Sequence, residues 1–196
     1  MLSGTRLILW LWWGWGLYWI LSALRNKATQ RRESLASRLA HVLPLAVGAA
    51  LIAWPARRWS ALAWRLWPTS LAAYWVGVAL VIAGLGFAVW ARVHLGGNWS
   101  GTVTVKQGHE LIRSGPYAYV RHPIYTGLTT ALLGTTLASG TLHAVIGLAI
   151  IVLAFVRKSG IEEEFMRATF PAQYPRYSAE VPALIPCPRR ANRTPR

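Results

Sequence analysis

Two short blocks of this sequence hold the residue types from which a reaction site can be built. The first runs Arg121, His122, Pro123, Ile124, Tyr125, and the second runs from Lys158 through Glu162, Glu163 and Glu164. Pro123 opens an apolar stretch and suits the first turn of a helix, where its missing N–H costs nothing. Free N–H groups at such a helix start, beside Arg121 and His122, make a site for an anion such as a carboxylate or phosphate. The alternative is that Arg121 and His122 are only the basic flank of an apolar segment. In the second block Ser159 and Glu162 have capping-box spacing, which predicts a fresh or kinked helix start at Gly160, ending near Phe170 and Pro171. If the helix is continuous instead, Lys158 shares a face with Glu162, and Glu163 with Arg167. That face is either the wall of a site or a solvated, salt-bridged surface. Tyr174 and Tyr177, three apart, can stack on a ring or anchor at an interface. Residues 102–105 alternate as a short strand does, Lys106, Gln107 and Gly108 break it, and Gly115–Pro116 marks a turn.

Other chemistries are excluded by what is missing. All 6 acidic residues are Glu, so a Ser-His-Asp triad, an aspartate dyad and an Asp-rich Mg²⁺ or Ca²⁺ cluster are ruled out. A single cysteine, Cys187, rules out an internal disulfide and a Cys-cluster zinc site, and no metal is expected. No Gly-x-Gly-x-x-Gly follows a strand, so there is no dinucleotide-binding fingerprint.

The elements that must carry these residues are apolar. The 196 residues are 54% hydrophobic and only 14% charged, against about 25% charged in a soluble domain. The net charge of +15 sits between long apolar runs rather than on an interleaved polar face. It therefore reads as membrane topology and not as nucleic-acid binding. Five apolar segments stand out, at 7–24, 39–54, 71–93, 124–139 and 142–156. The Trp-rich first one, with no small-x-small cleavage pattern after it, reads as a span rather than a cleaved signal. The second, fourth and fifth are short for a span of about 20 residues. Only a tight turn at Gly140 separates the last two, which predicts an antiparallel helical hairpin that crosses most or all of the bilayer, the alternative being a half-membrane re-entrant hairpin. The fold expected is an all-α integral membrane protein of about five transmembrane helices. Its extent is a single domain over 1–186 followed by a basic, disordered tail at 187–196. Alternating the loops puts 17 Lys and Arg on one face and 4 (Arg6, Arg57, Arg58, Arg65) on the other. The N-terminus is then outside and the C-terminus cytoplasmic. Tryptophans 54, 59, 64, 67 and 75 fall at the opposite boundary, as an interfacial belt does. Gly84 with Ala88, and Gly127 with Ala131, have the small-x-x-x-small spacing that lets helices approach in lipid.

Taken in order, one set of fragments is specific: His109-Glu110-Leu111-Ile112, Gly115-Pro116-Tyr117, Arg121 to Tyr125 with Gly127, the Glu162–Glu163 pair, Phe170, Tyr174, Tyr177, Val181-Pro182 and Ile185-Pro186. Over about 87–186 this pattern resembles the isoprenylcysteine carboxyl methyltransferase family of integral-membrane enzymes. The resemblance implies that a cytoplasmic loop and C-terminal helix form a pocket for S-adenosylmethionine. It implies cofactor contacts from His109, Glu110, Leu111, Ile112, Tyr117, His122, Pro123, Ile124, Tyr125 and Glu162. Arg121 joins them through the anion-site argument, as a partner with His122 for the cofactor carboxylate. Arg92 and Lys158 are expected to face the substrate, and Arg92 and Glu162 are the expected catalytic residues. Lys158 stands where the family often has Arg, and Pro171 where it usually has Gly.

The function implied is methyl transfer from S-adenosylmethionine to a lipophilic acceptor at the cytoplasmic membrane face, foremost the carboxylate of an isoprenylcysteine or other lipid acid. An ionised carboxylate needs no base, so alignment and exclusion of water would supply the catalysis. The acceptor would arrive from the bilayer, between the third span and the hairpin. Two alternatives stand beside this: N-methylation of a lipid amine headgroup, and a non-enzymatic membrane scaffold or small transporter. Transport is the weaker, because the span cores hold a single ionisable residue, His143, near the outer edge.

Overall fold

The computed structural model describes residues 3–23, 29–32, 35–54, 64–99, 104–106 and 111–186. Six helices appear in chain order: α1 (Ser3–Ala23), α2 (Leu35–Ala53), α3 (Leu71–Leu95), α4 (Pro123–Ser139), α5 (Leu142–Thr169) and α6 (Tyr174–Glu180). Two short strands, β1 (Thr29–Arg32) and β2 (Thr104–Lys106), pair antiparallel, with Thr29 opposite Lys106 and Arg32 opposite Thr104. Of the alternation expected at 102–105, Thr104 and Val105 lie in this ribbon and 102–103 fall outside the described residues; Lys106, expected to break the strand, is instead paired in it.

Among the described residues three helices, α2, α3 and α5, are long and apolar enough to cross a membrane. The protein is an integral membrane protein. Its outward faces match that solvent: Trp10, Trp13, Ile20, Leu43, Leu71 and Leu153 are more than half exposed, and a hydrocarbon environment removes the cost of leaving them so. α4 has 17 residues and so extends about 25 Å at about 1.5 Å per residue.

Glycines decide how the helices pair. A Cβ on Gly84 would overlap the Gly127 carbonyl oxygen, and one on Gly127 would overlap that of Gly84. Gly77 and Gly134 stand in the same reciprocal relation. These contacts run α3 antiparallel to α4, backbone on backbone, with Ala88 and Ala131 completing the two small-residue pairs. Gly48 and Gly147 join α2 to α5 in the same way. Helices α4 and α5 are connected by a tight turn at Gly140, which takes a left-handed conformation at φ 66°. Each nevertheless packs chiefly on an earlier helix, α4 on α3 and α5 on α2. Side chains fill the space between the two pairs. Tyr125, Ile124, Ile151, Phe155 and Ala91 form a buried cluster there, flanked by Trp19, Leu45, Ile52 and Leu128. The route expected for a lipophilic acceptor, between α3 and the hairpin, is therefore shut along the glycine contacts.

The end bearing the Gly140 turn also receives the segment before α3. Leu66 N–H donates to the Gly140 carbonyl and Leu142 N–H to that of Trp64, each at 2.9 Å. Trp67 Nε1 donates to the Leu137 carbonyl at 3.0 Å. The functional blocks lie at the other end.

One local expectation is overturned. No helix begins at Gly160, because α5 runs unbroken from Leu142 to Thr169. Ser159 does not cap: its hydroxyl donates back to the Val156 carbonyl at 2.8 Å, the bond available to a serine inside a helix. Continuity carries the polar end of α5 beyond its apolar length, and the site is built there.

Candidate active site

Consecutive residues on a helix point about 100° apart, so Glu162 and Glu163 face different partners. Glu162 is turned toward α4. It accepts a hydrogen bond from the Tyr125 hydroxyl at 2.5 Å, stands 3.4 Å from His122 Nδ1 and 3.7 Å from Lys158 Nζ one turn earlier. Glu163 accepts from Arg121 Nε at 3.0 Å and Nη2 at 2.6 Å, and from Arg167 at 3.1 Å one turn later. His122 Nε2 lies 3.2 Å from the same Glu163 oxygen that holds Arg121. The Glu162 side chain is 24% exposed and that of Glu163 9%. The first carboxylate is the one with room for a further partner.

His122 bridges the two. A carboxylate only accepts, so a ring whose nitrogens each face one carries a proton on both. Burial opposes that charge, but Glu162 and Glu163 outweigh it and hold the imidazole pKa above its ordinary 6.5. The ring lies parallel to Tyr125, with centroids 5.6 Å apart, and Tyr125 stacks in turn on Phe155 at 4.7 Å. Lys158 Nζ sits 5.4 Å from the Tyr125 ring centre, with the residue only 7% exposed. Tyr117, beneath this layer, has its hydroxyl pKa raised by burial and then by the Glu162 charge.

The start of α4 is tied to the segment after α6. Arg121 N–H donates to the Pro182 carbonyl and His122 N–H to that of Ala183. The Thr126 hydroxyl donates to the Leu184 carbonyl at 2.6 Å. The Arg121 guanidinium adds bonds to the carbonyls of Ser178 and Val181. The backbone donors at Arg121 and His122, and the Arg121 side chain, are thus engaged by the chain's own carbonyls and by Glu163, whereas the expected anion site also drew on the first-turn N–H groups of α4.

Arg92 ends the apolar length of α3, 3% exposed. Its guanidinium donates to the carbonyls of Gly96 at 2.7 Å and Ser22 at 2.6 Å and lies over Trp99, 4.6 Å from the ring centre. Trp99 meets Trp19, which stacks on Trp15, so α1 docks onto the end of α3 through aromatic rings.

Residues 76–168 match the family described as isoprenylcysteine carboxyl methyltransferase, or ICMT. Over this region the chain is similar to that family. The protein-S-isoprenylcysteine O-methyltransferase of Schizosaccharomyces pombe is 32% identical over 99 residues, 49% of this chain and 42% of the relative. The Bacillus subtilis protein YpbQ is 34% identical over 61 residues, 31% of this chain and 36% of the relative. Protein-S-isoprenylcysteine O-methyltransferase B of Arabidopsis thaliana is 25% identical over 119 residues, 58% of this chain and 60% of the relative. The matched region spans about half the length of these curated relatives.

The ICMT region takes in α4, most of α3 and nearly all of α5, and with them Arg92, Tyr117, His122, Tyr125, Lys158 and Glu162. Of the expected contacts, Tyr117, His122, Ile124, Tyr125 and Glu162 gather around one carboxylate and one buried cluster. Pro123 is buried at the first turn of α4. Ile112 packs on the Tyr125–Phe155 cluster, whereas Leu111 packs on Tyr174, Tyr177 and Val181. His109 and Glu110 fall outside the described residues, as does the tail at 187–196. Two participants escaped the sequence reading. Phe155 has no signal beyond being an aromatic in an apolar run. Glu163 was signalled by its spacing from Arg167, which fits a solvated pair equally well, and as the second member of the Glu162–Glu163 pair, neither of which gave it a role in the site. Tyr174 and Tyr177 are structural: they meet edge to face at 5.9 Å, and the Tyr177 hydroxyl donates to the Tyr117 carbonyl at 2.7 Å.

Proposed function

We propose that this chain transfers a methyl group from S-adenosylmethionine to a carboxylate on a lipophilic molecule, an isoprenylcysteine or a similar lipid acid, at the cytoplasmic membrane boundary. The observation that carries this reading is Glu162: a partly open carboxylate held by Tyr125, His122 and Lys158 where α5 leaves its apolar length, within the ICMT region. It fits the ammonium of an amino-acid-like cofactor through a charge-assisted hydrogen bond. When bound, the cofactor contributes an electrophilic methyl group on a sulfonium.

The remaining work falls to this chain's own side chains. Glu162 binds and orients the ammonium. Tyr125, braced between His122 and Phe155, keeps that carboxylate in place and walls the site against water. Lys158 and Arg92, both buried cations, attract and align an acidic acceptor. The acceptor oxygen is already ionised, so no proton has to be removed. His122, with both nitrogens turned to carboxylates, offers no lone pair for removing one. That bears against an amine acceptor, which must lose a proton before it attacks. So does the charge: Arg121, His122, Lys158 and Arg167 surround only two carboxylates, Glu162 and Glu163.

Membranes containing the chain, incubated with methyl-labelled S-adenosylmethionine and a prenylated cysteine, test this. Label that base treatment releases as volatile methanol is the expected result, since a methyl ester hydrolyses. Base-stable lipid label would mean N-methylation instead. Absence of both lipid label and cofactor binding would leave the scaffold or transporter alternative.

A further inference from the structure

Glu163 touches neither of the groups the proposed reaction needs, yet it is the most heavily bonded carboxylate among the described residues. Arg121, Arg167 and His122 converge on it, and it is buried. Its partners divide by role. Arg121 holds the segment after α6 through the carbonyls of Ser178 and Val181. His122 reaches across to Glu162. One carboxylate therefore joins the end of α5, the start of α4 and the closing segment, and it sits on the far side of the imidazole from Glu162.

We infer that Glu163 is a positioning residue, which by bonding Nε2 of His122 fixes the ring doubly protonated with its Nδ1–H aimed at Glu162. A neutral His122 would carry one proton. It could then meet only one carboxylate as a donor and would turn a lone pair toward the other, repelling it. With Glu163 in place, the ring supplies Glu162 with a fixed hydrogen-bond donor while leaving it open toward the cofactor side. The charged and titratable groups around the ring are Glu162, Glu163 and Lys158 from α5, Arg121 and Tyr125 from the start of α4, and Tyr174 of α6 beside Glu163. Among the described residues only the two glutamates touch its nitrogens.

The inference rests on the methyltransferase reading for its purpose but not for its first readout. In detergent-solubilised protein with ¹⁵N-labelled histidine and no cofactor, the ring nitrogens of His122, assigned by its loss in His122→Gln, report protonation directly. Wild type should show an imidazolium near neutral pH. Glu163→Gln should lower the His122 midpoint by about one unit, a tenfold change in charged fraction. Glu163→Asp, which keeps the charge but withdraws it by one methylene, should fall between. Binding of S-adenosylhomocysteine is the second readout, with Kd about 3- to 30-fold weaker in Glu163→Gln and partly restored in Glu163→Asp. If Glu163 serves folding alone, both variants lose yield and melting temperature while His122 in the folded fraction keeps its wild-type shifts, and the inference is overturned. Should the Gln variant not fold, a wild-type His122 midpoint in the Asp variant overturns the inference by the same standard. Failure of wild type to bind S-adenosylhomocysteine, with the His122 shift present, would count against the methyltransferase reading and leave the positioning role supported.

Discussion

Glu162 and Lys158 lie one turn apart and touch, yet substitution should separate them. Glu162→Gln keeps the shape but removes a charge-assisted acceptor, and should weaken cofactor binding by about 1.5–3 kcal/mol. Lys158→Met keeps most of the aliphatic stem and should leave cofactor affinity near wild type while impairing acidic acceptors more than neutral ones. Calorimetry with S-adenosylhomocysteine, beside kinetics on both acceptor types, distinguishes the two. Near-normal behaviour in both would return them to the status of a helix-surface pair worth about 0.2–0.5 kcal/mol. His122 carries the pH dependence. Its pKa is higher folded than unfolded, so its stabilisation is complete below the unfolded value and fades as pH rises through the folded one. Raising pH from about 6 to about 8.5 should therefore cost wild type more melting temperature than it costs His122→Gln; equal losses would remove His122 as the cause. At this scale residue types were legible and partners were not. Arg121 and His122 announce an anion site by composition, but whether an external anion or the chain's own carbonyls take their donors depends on where residues 181–184 run, and no local pattern encodes that.

Among the elements, the glycine pairs give the sharpest expectation. Gly84→Leu must push α3 off α4 and should cost about 1–3 kcal/mol, as overpacking does. Gly86 lies two residues on, where a Cβ would meet nothing within 4 Å, and Gly86→Ala should change stability by no more than about 0.5 kcal/mol. Denaturation in mixed detergent micelles compares them, and equal effects would refute the packing argument. The small-residue spacing at Gly84 and Gly127 was visible in the sequence because the rule that small residues permit close approach is local. The assignment of partners was not. A tight turn made α4 and α5 look like each other's neighbours, whereas Gly134 and Gly147 face Gly77 and Gly48 on earlier helices. Ser159 and Glu162 misled for a related reason: capping-box spacing also occurs inside a helix, and the apolar run before Ser159 had no stop signal except Gly160.

For the whole molecule, the charge asymmetry supports the proposal that the site faces the cytoplasm. The structure puts the Gly140 turn and the segment before α3 together at the end away from Glu162, the arrangement the positive-inside count requires. A reporter active only outside the cytoplasm, fused after Arg196, should stay silent, and strong activity would invert the orientation. The bundle also has an uneven mechanical character. Within each glycine-seated pair backbone lies close to backbone, which leaves little room to yield, so α3–α4 and α2–α5 are expected to act as two stiff blades. Between them lies a hinge made of side chains, with the Tyr125–Phe155 stack at its centre, and such rings can swing without breaking a helix. Lateral pressure in the bilayer then works on the hinge rather than on the blades. Turnover in reconstituted membranes should accordingly vary with acyl-chain length, while the melting temperature, set by the blades, changes little.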